Sequence, residues 1–218
     1  MATIKVSAFR WVPPFAQGLV RDLRVRWALE EAGLAYEERL LSLGEHKSER
    51  YCALQPFGQI PSYEEDDLVL FESGAIVLHV AERSEALMST DPDARAHTKT
   101  WIFAALSTVE PPILFFNEIA KLPAGEESAK LRVSAIAMVK ARLASLAARL
   151  DGRDYLLDRF TAADLLMTAV LRQLRNTELL AEMPLLDAYR LRCEARPAFR
   201  KALADQMAPF AENAPPKS

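Results

Sequence analysis

The sequence predicts a two-domain protein, with an α/β domain over residues 1–83, a linker at 84–92 and an all-α domain over 93–218. Three observations predict it. Glycine, proline and β-branched residues punctuate the first part, whereas Ala, Leu and Arg at helical spacing fill the rest. Apolar runs of strand length alternate with helical patterns only before residue 84. An apolar share of 50% in 218 residues is ample for a buried core.

The elements follow in order. Ile4 to Phe9 reads as a strand, and Pro13-Pro14 forbids helix until the chain has turned. A helix then runs from about Gly18 to Ala32, with Val25, Ala28, Leu29 and Ala32 on one face and Gly33 closing it. Ala35 to Leu41 is the next strand, and Lys47 to Leu54 a helix or helical turn. Gln55-Pro56-Phe57-Gly58 is turn chemistry. Ile60 to Tyr63 and Leu68 to Phe71 read as short strands joined by the acidic turn Glu64 to Asp67. A helix from Glu72 to about Arg83 completes the order β-α-β-α-β-β-α.

Ser84 to Pro92 carries no periodic pattern. Helices are expected at about Asp93 to Lys121, Glu126 to Leu150, Ala162 to Leu174, Pro184 to Ala195 and Pro197 to Met207, with Glu110-Pro111-Pro112 bending or breaking the first. Thr161 to Asp164 fits a capping box, although aspartate is shorter than the usual Glu or Gln. The tail Asn213 to Ser218 is expected to fray.

Charge and composition narrow the function. The 27 basic and 30 acidic side chains give a net charge of −3, with no basic block to follow a phosphate backbone, so nucleic acid is not an expected partner. No opening charged segment precedes a long apolar run, and no uncharged stretch reaches the roughly 18 to 20 residues of a membrane-spanning helix. A soluble, cytoplasmic protein without a membrane partner is therefore expected. Cys52 and Cys193 form no CxxC pair and read as packed thiols. His46, His79 and His97 show no metal-ligand spacing, so no metal is expected.

The most specific stretch is Gly44-Glu45-His46-Lys47-Ser48, then Gln55-Pro56-Phe57-Gly58-Gln59-Ile60-Pro61-Ser62-Tyr63, then Leu70-Phe71-Glu72-Ser73-Gly74-Ala75-Ile76. Here the chain resembles the cytosolic glutathione transferase family, particularly its phi and theta-like branches, across the whole α/β half and more loosely through the helical half. The resemblance implies a thioredoxin-like N-terminal domain and an all-α C-terminal domain, with glutathione as co-substrate. It also implies a cis Ile60-Pro61 bond, which turns the Ile60 amide and carbonyl outward to pair with the cysteinyl backbone of glutathione. Glu72 and Ser73 open a helix whose free amides attract a carboxylate, here that of the γ-glutamyl end, with Glu72 positioning the adjacent ammonium. His46 and Lys47 would meet the glycyl carboxylate, and Gln59 would add a side-chain hydrogen bond. Taken singly, Pro61 reads as an edge proline, Glu72-Ser73 as a helix start and His46-Lys47 as a solvated loop.

The resemblance also implies a thiolate on glutathione, since a thiol of pKa about 8.5 is only a few per cent ionised at neutral pH. Family members usually place a Ser, Tyr or Cys after the first strand to donate to that sulfur. This chain departs from the pattern, because Leu19, Val20, Arg21 and Asp22 stand where the serine should be and Arg10 to Phe15 supply no hydroxyl or thiol. Ser7 is nearest, inside the strand. Three substitutes remain open: the charge of Arg10 or Arg21, the amide of Gln17, or backbone amides opening the first helix, with the helix start ranked first and Gln17 or Arg21 assisting. For Arg21 a surface salt bridge is the alternative.

An apolar electrophile pocket bordered by Trp11, Phe15, Phe103, Leu106 and Phe115 is expected, with core packing the alternative for each. The implied reaction joins glutathione to a small hydrophobic electrophile, with peroxidase or isomerase side activities. The alternatives are a glutathione- or protein-binding regulatory module that has lost catalysis, and an apolar-ligand carrier. The resemblance further implies a homodimer.

Overall fold

The computed structural model describes residues 3–215, so the opening Met1-Ala2 and the tail end 216–218 lie outside the described residues. The chain divides into two compact units, residues 1–88 with 195–218, and residues 89–194. Sequence periodicity continues the helical domain to residue 218, but the last helix groups with the first unit, for reasons of packing given below.

In the first unit a four-stranded sheet has the order β2-β1-β3-β4. Strand β1 (Ile4–Phe9) runs parallel to β2 (Tyr36–Leu41) and antiparallel to β3 (Ser62–Glu65), which pairs antiparallel with β4 (Leu68–Phe71). Helix α1 (Asp22–Ala32) returns the chain between β1 and β2, a short α2 (Glu49–Cys52) precedes β3, and α3 (Ser73–Glu82) follows β4. The β-α-β-α-β-β-α order therefore holds. Helix α1 starts four residues later than its periodicity suggested, because Gly18 has φ 73 and the chain winds through turns up to Arg21.

Val6, Ala8, Val25, Trp27, Leu29, Tyr63, Ile76, Val77 and Val80 form the buried core of this unit. Helix α10 (Pro197–Glu212) packs along α1, with Phe199 edge-on to Trp27 at 4.8 Å. Gln206 on α10 donates its Nε2 to the Val20 carbonyl at 3.1 Å and to Asp22 Oδ1 at 2.8 Å, so the start of α1 is tied to the end of the chain. These buried contacts place the last helix with the sheet.

Glu65 at the end of β3 accepts from Arg83 at 2.5 and 2.9 Å and from the Tyr63 hydroxyl at 2.7 Å. The Arg83 hydrogen bonds, then that of Tyr63, hold its carboxyl at about 2 rather than the usual 4.5. A folded-state pKa depressed below the unfolded one gives stability present above about pH 4.5 and lost as pH falls toward 2. Glu65→Gln is expected to cost about 1–2 kcal/mol at pH 7, a value reduced for the partial exposure of the pair, and urea titrations should show the difference closing as pH falls from about 5 to about 2.

The second unit is helical: α4 (Pro92–Ala104), α5 (Glu110–Ala120), α6 (Glu126–Leu150), α7 (Ala162–Leu171), the short α8 (Glu178–Ala181) and α9 (Pro184–Glu194). Its core includes Ile102, Ile113, Val139, Leu143, Leu166, Val170, Leu186 and Tyr189. The irregularity expected at Pro111-Pro112 falls just before them, as a π-helical turn at Ala105–Val109. The prolines follow this turn directly, at the start of α5, and their missing amides interrupt the helical hydrogen-bond ladder there. The continuous helical run Pro92–Ala120 is long and apolar enough to cross a bilayer by length and composition alone. Within this unit, however, Ile102, Ala105, Val109 and Ile113 are buried and Glu110 bonds to Gln173.

Thr161 caps α7. Its Oγ1 accepts from the Ala163 amide, and Asp164 Oδ2 accepts from the Thr161 amide at 2.9 Å, so the shorter aspartate does close the box. Cys193 is buried and Cys52 half-buried, and neither is in a disulfide. No cluster of His, Cys, Asp or Glu suited to a metal occurs among the described residues.

Candidate functional site

Strand register brings two local features together. Ser62 faces Phe71 in the β3–β4 ladder, so one and two residues beyond its end Pro61 comes beside Glu72 and Ile60 beside Ser73. The Ile60-Pro61 peptide is cis. Proline has no amide to donate, and strand β3 accordingly begins at Ser62 rather than at the expected Ile60. The Ile60 amide and carbonyl take no partner from the loops, helices or side chains described.

Helix α3 starts at Ser73 with no side chain capping it. Its N-cap, Glu72, holds φ 67 and ψ 111, a backbone region costly for a non-glycine residue. The result is a helix start whose first amides meet no side-chain oxygen of the protein, and such amides attract an anion. Ser73 is buried, and its Oγ accepts from the guanidinium of Arg24 on α1 at 3.4 Å. Because arginine only donates, the Ser73 hydroxyl keeps its own proton for an acceptor outside. Arg24, itself buried, adds positive charge beside the helix start.

His46 and Lys47 lie in a 3₁₀ turn at Glu45–Lys47. They are brought against the Gln55–Gly58 turn. Lys47 Nζ donates to the Phe57 carbonyl at 3.2 Å, and a Cβ built on Gly58, whose φ is +57, would come within 2.8 Å of the His46 carbonyl and 2.9 Å of the Lys47 side chain. Only glycine permits that approach. Partial burial, then the Lys47 charge, lowers the His46 pKa. The Gly44 amide donates to His46 Nδ1 at 3.3 Å, which leaves Nε2 as a donor. The Gln59 amide donates to the Gln55 side chain at 3.0 Å, and the Gln59 side chain is exposed.

Of the sequence-derived residues, the first unit therefore groups Ile60, Pro61, Glu72 and Ser73 at one end of the sheet and His46 and Lys47 on the turn preceding Gln59. Gln17 donates its Nε2 to the Val12 carbonyl at 3.0 Å, which ties the loop before α1 together. Arg21 is the N-cap residue of α1, and no side chain caps that helix either. Arg10 donates its amide to the Leu41 carbonyl at the end of the β1–β2 pair. In this unit Trp11 is half-buried and Phe15 is 78% exposed. In the second unit Phe103 and Phe115 are exposed and Leu106 half-buried, Leu106 lying in the π turn. Arg24 escaped the sequence reading. The signal was there: it stands four residues before Ala28 on a buried helix face, where an arginine needs a partner.

The sheet order, the cis-proline turn and the separate helical unit define a two-domain thioredoxin-like protein. Residues 17–82 match the glutathione S-transferase N-terminal domain family and residues 97–197 the glutathione S-transferase C-terminal domain family. "Glutathione S-transferase 4" of Zea mays is 32% identical, with 99% of this chain and 98% of that one covered. The crystal structure of glutathione transferase F7 from Populus trichocarpa is 28% identical, with a TM-score of 0.78 over 94% of this chain and 99% of that one. A glutathione transferase from Pseudomonas putida, solved with glutathione disulfide bound, shares the fold at a TM-score of 0.79, 22% identity and coverage of 92% and 90%. The chain belongs to the glutathione S-transferase family, and the phi-like branch is the one its plant relatives fit.

Proposed function

We propose that the protein is a glutathione transferase that binds glutathione across the Ile60-Pro61 turn and the start of α3, and adds its sulfur to a small hydrophobic electrophile. The carrying observation is the uncapped α3 terminus with Ser73 and Arg24, beside an Ile60 whose backbone groups no other backbone group takes. The γ-glutamyl carboxylate takes the Ser73 hydroxyl and the helix amides, with the Arg24 charge behind them, and Glu72 takes the ammonium. Ile60 pairs with the cysteinyl backbone, while Lys47, His46 and Gln59 receive the glycyl end. Retention on immobilised glutathione, followed by turnover of a chlorinated nitroaromatic and of an organic hydroperoxide, tests this reading. Absence of retention overturns it.

For the thiolate, the positive dipole end at the start of α1 supplies the stabilisation, with Gln17 or Arg21 assisting, since the Leu23 and Arg24 amides are already taken by the Val20 and Arg21 carbonyls. Each unit by which the thiol pKa is lowered corresponds to about 1.4 kcal/mol. Trp11, Phe15, Phe103, Leu106 and Phe115 supply the apolar surface for the electrophile. One observation favours a second reading, that of a glutathione-binding regulatory module: residues 10–21 contain no hydroxyl or thiol, and Gln17 is engaged with Val12. Retention without turnover would select it.

Ser73→Ala is expected to weaken glutathione binding by about 1–3 kcal/mol, the loss of a hydrogen bond to a charged group, as read by titration calorimetry. Unchanged affinity would place the carboxylate elsewhere. A cytoplasmic homodimer belongs to the same proposal. Phe57 is 64% exposed and lies edge-on to Phe71 at 6.0 Å, and exposed Val69 shares the Phe71 face of edge strand β4, an apolar patch that a second copy would cover. Sedimentation should give a dimer that Phe57→Glu shifts to monomer; wild-type protein that stays monomeric at all concentrations contradicts it.

A further inference from the structure

A chain of hydroxyls beneath the cis-proline turn has one possible direction. Tyr51 Oη on α2 lies 2.7 Å from the Gln59 carbonyl and 2.8 Å from Ser7 Oγ on β1. Ser7 Oγ lies 2.6 Å from the Ser62 amide and 3.0 Å from Ser62 Oγ. A carbonyl cannot donate, so the Tyr51 proton goes to Gln59. Tyr51 must then accept from Ser7, and Ser7, its one proton spent, must accept from both the amide and the hydroxyl of Ser62. Four hydrogen bonds thus run from Ser62 to Gln59 through two side chains that lie 44 residues apart in sequence. Ser7, Tyr51 and Ser62 are all buried, so water does not compete.

The two ends of this chain are the residues on either side of Ile60-Pro61. Register explains the arrangement: Val6 faces Tyr63 in the β1–β3 ladder, which sets Ser7 opposite Ser62. Tyr51 comes from the opposite direction, on a helix whose cap, Ser48, accepts the Tyr51 amide at 3.3 Å. That helix directly follows the turn carrying His46 and Lys47.

We propose that Tyr51 and Ser7 are positioning residues, which clamp Gln59 and Ser62 so that the Ile60 amide and carbonyl stand ready for the peptide backbone of glutathione and in register with the His46-Lys47 turn. The inference rests on the glutathione reading above. Neither residue touches the ligand. Their effect is on preorganisation: without the clamp, binding must itself order the turn.

Tyr51→Phe keeps the ring and removes only the hydroxyl. It is expected to raise the Kd for glutathione about tenfold, equivalent to about 1.4 kcal/mol. The same factor is expected for γ-glutamyl-alanyl-glycine, which has the backbone of glutathione but no thiol. Ser7→Ala should behave alike, and the double variant should lose little more than either single one, because breaking the chain once is enough. In turnover the KM for glutathione should rise with kcat nearly unchanged, and the thiolate absorbance of bound glutathione should titrate as in wild type. A purely structural role would lower the melting temperature and leave both Kd values in place, and that result overturns the inference alone. Failure of the wild-type protein to bind glutathione overturns the inference together with the reading beneath it.

Discussion

Asp164→Ala is expected to destabilise the helical unit by about 3–5 kcal/mol, read as a fall in the urea midpoint with an unchanged slope. The carboxylate is fully buried and all its capacity is used. Oδ1 accepts the Leu156 amide and the Tyr189 hydroxyl, both at 2.9 Å, and Oδ2 accepts the Thr161 amide at 2.9 Å and its hydroxyl at 3.2 Å. Alanine would leave two backbone amides and a buried phenol without an acceptor. Each orphaned donor costs about 1–3 kcal/mol, partly offset because the strands of this network relax together. The residue does more than cap a helix: it ties the loop before α7 to α9 through Tyr189. Asp164→Asn keeps one acceptor oxygen and should lose less. If alanine costs no more than the roughly 0.5–2 kcal/mol of an ordinary capping residue, the buried network adds nothing to the box.

The capping box was legible in the sequence because its four residues are contiguous, and so were the bounds of β1 and α6, where apolar spacing and flanking residues agree. The grouping of residues at the proposed site was legible for a related reason. Ile60-Pro61 and Glu72-Ser73 are short local signals, and a tight β3–β4 hairpin brings them side by side without help from distant residues. What was not legible depends on distance. The Arg24–Ser73 and Tyr51–Ser7 contacts join residues 49 and 44 apart, and nothing in either neighbourhood names the partner. Helix α8 spans four residues, too few for a period to show. The apolar stripe of α10, with Phe199, Ala202 and Phe210 buried, declares a helix but not the surface it covers, which is why sequence alone leaves it with the helical domain.

That surface leads to the other large expected effect. Arg26→Met should destabilise the first unit by about 3–5 kcal/mol at pH 8, and by less at pH 5. Arg26 is buried, with Nε 2.7 Å from Asp22 Oδ2 and Nη1 bonded to Glu38. Glu38 is partly exposed and can return to water, whereas Asp22 is fully buried and would keep the Gln206 amide and its own backbone amide but no charged partner. Burial already raises the Asp22 pKa, against the charge and hydrogen bonds of Arg26 that lower it. Removing Arg26 raises it further. A folded-state pKa above the unfolded one favours folding at low pH and withdraws that stability as pH rises, so the gap from wild type should narrow as the medium is acidified. Adding Asp22→Asn to the variant removes the stranded charge and should recover part of the loss. The same network sets the start of α1, because Gln206 holds Asp22 and the Val20 carbonyl together. If the dipole end there stabilises the glutathione thiolate, Arg26→Met should also raise the thiol pKa of bound glutathione in molecules that remain folded. An unaltered thiol pKa would mean that the sulfur is served from somewhere other than the start of α1.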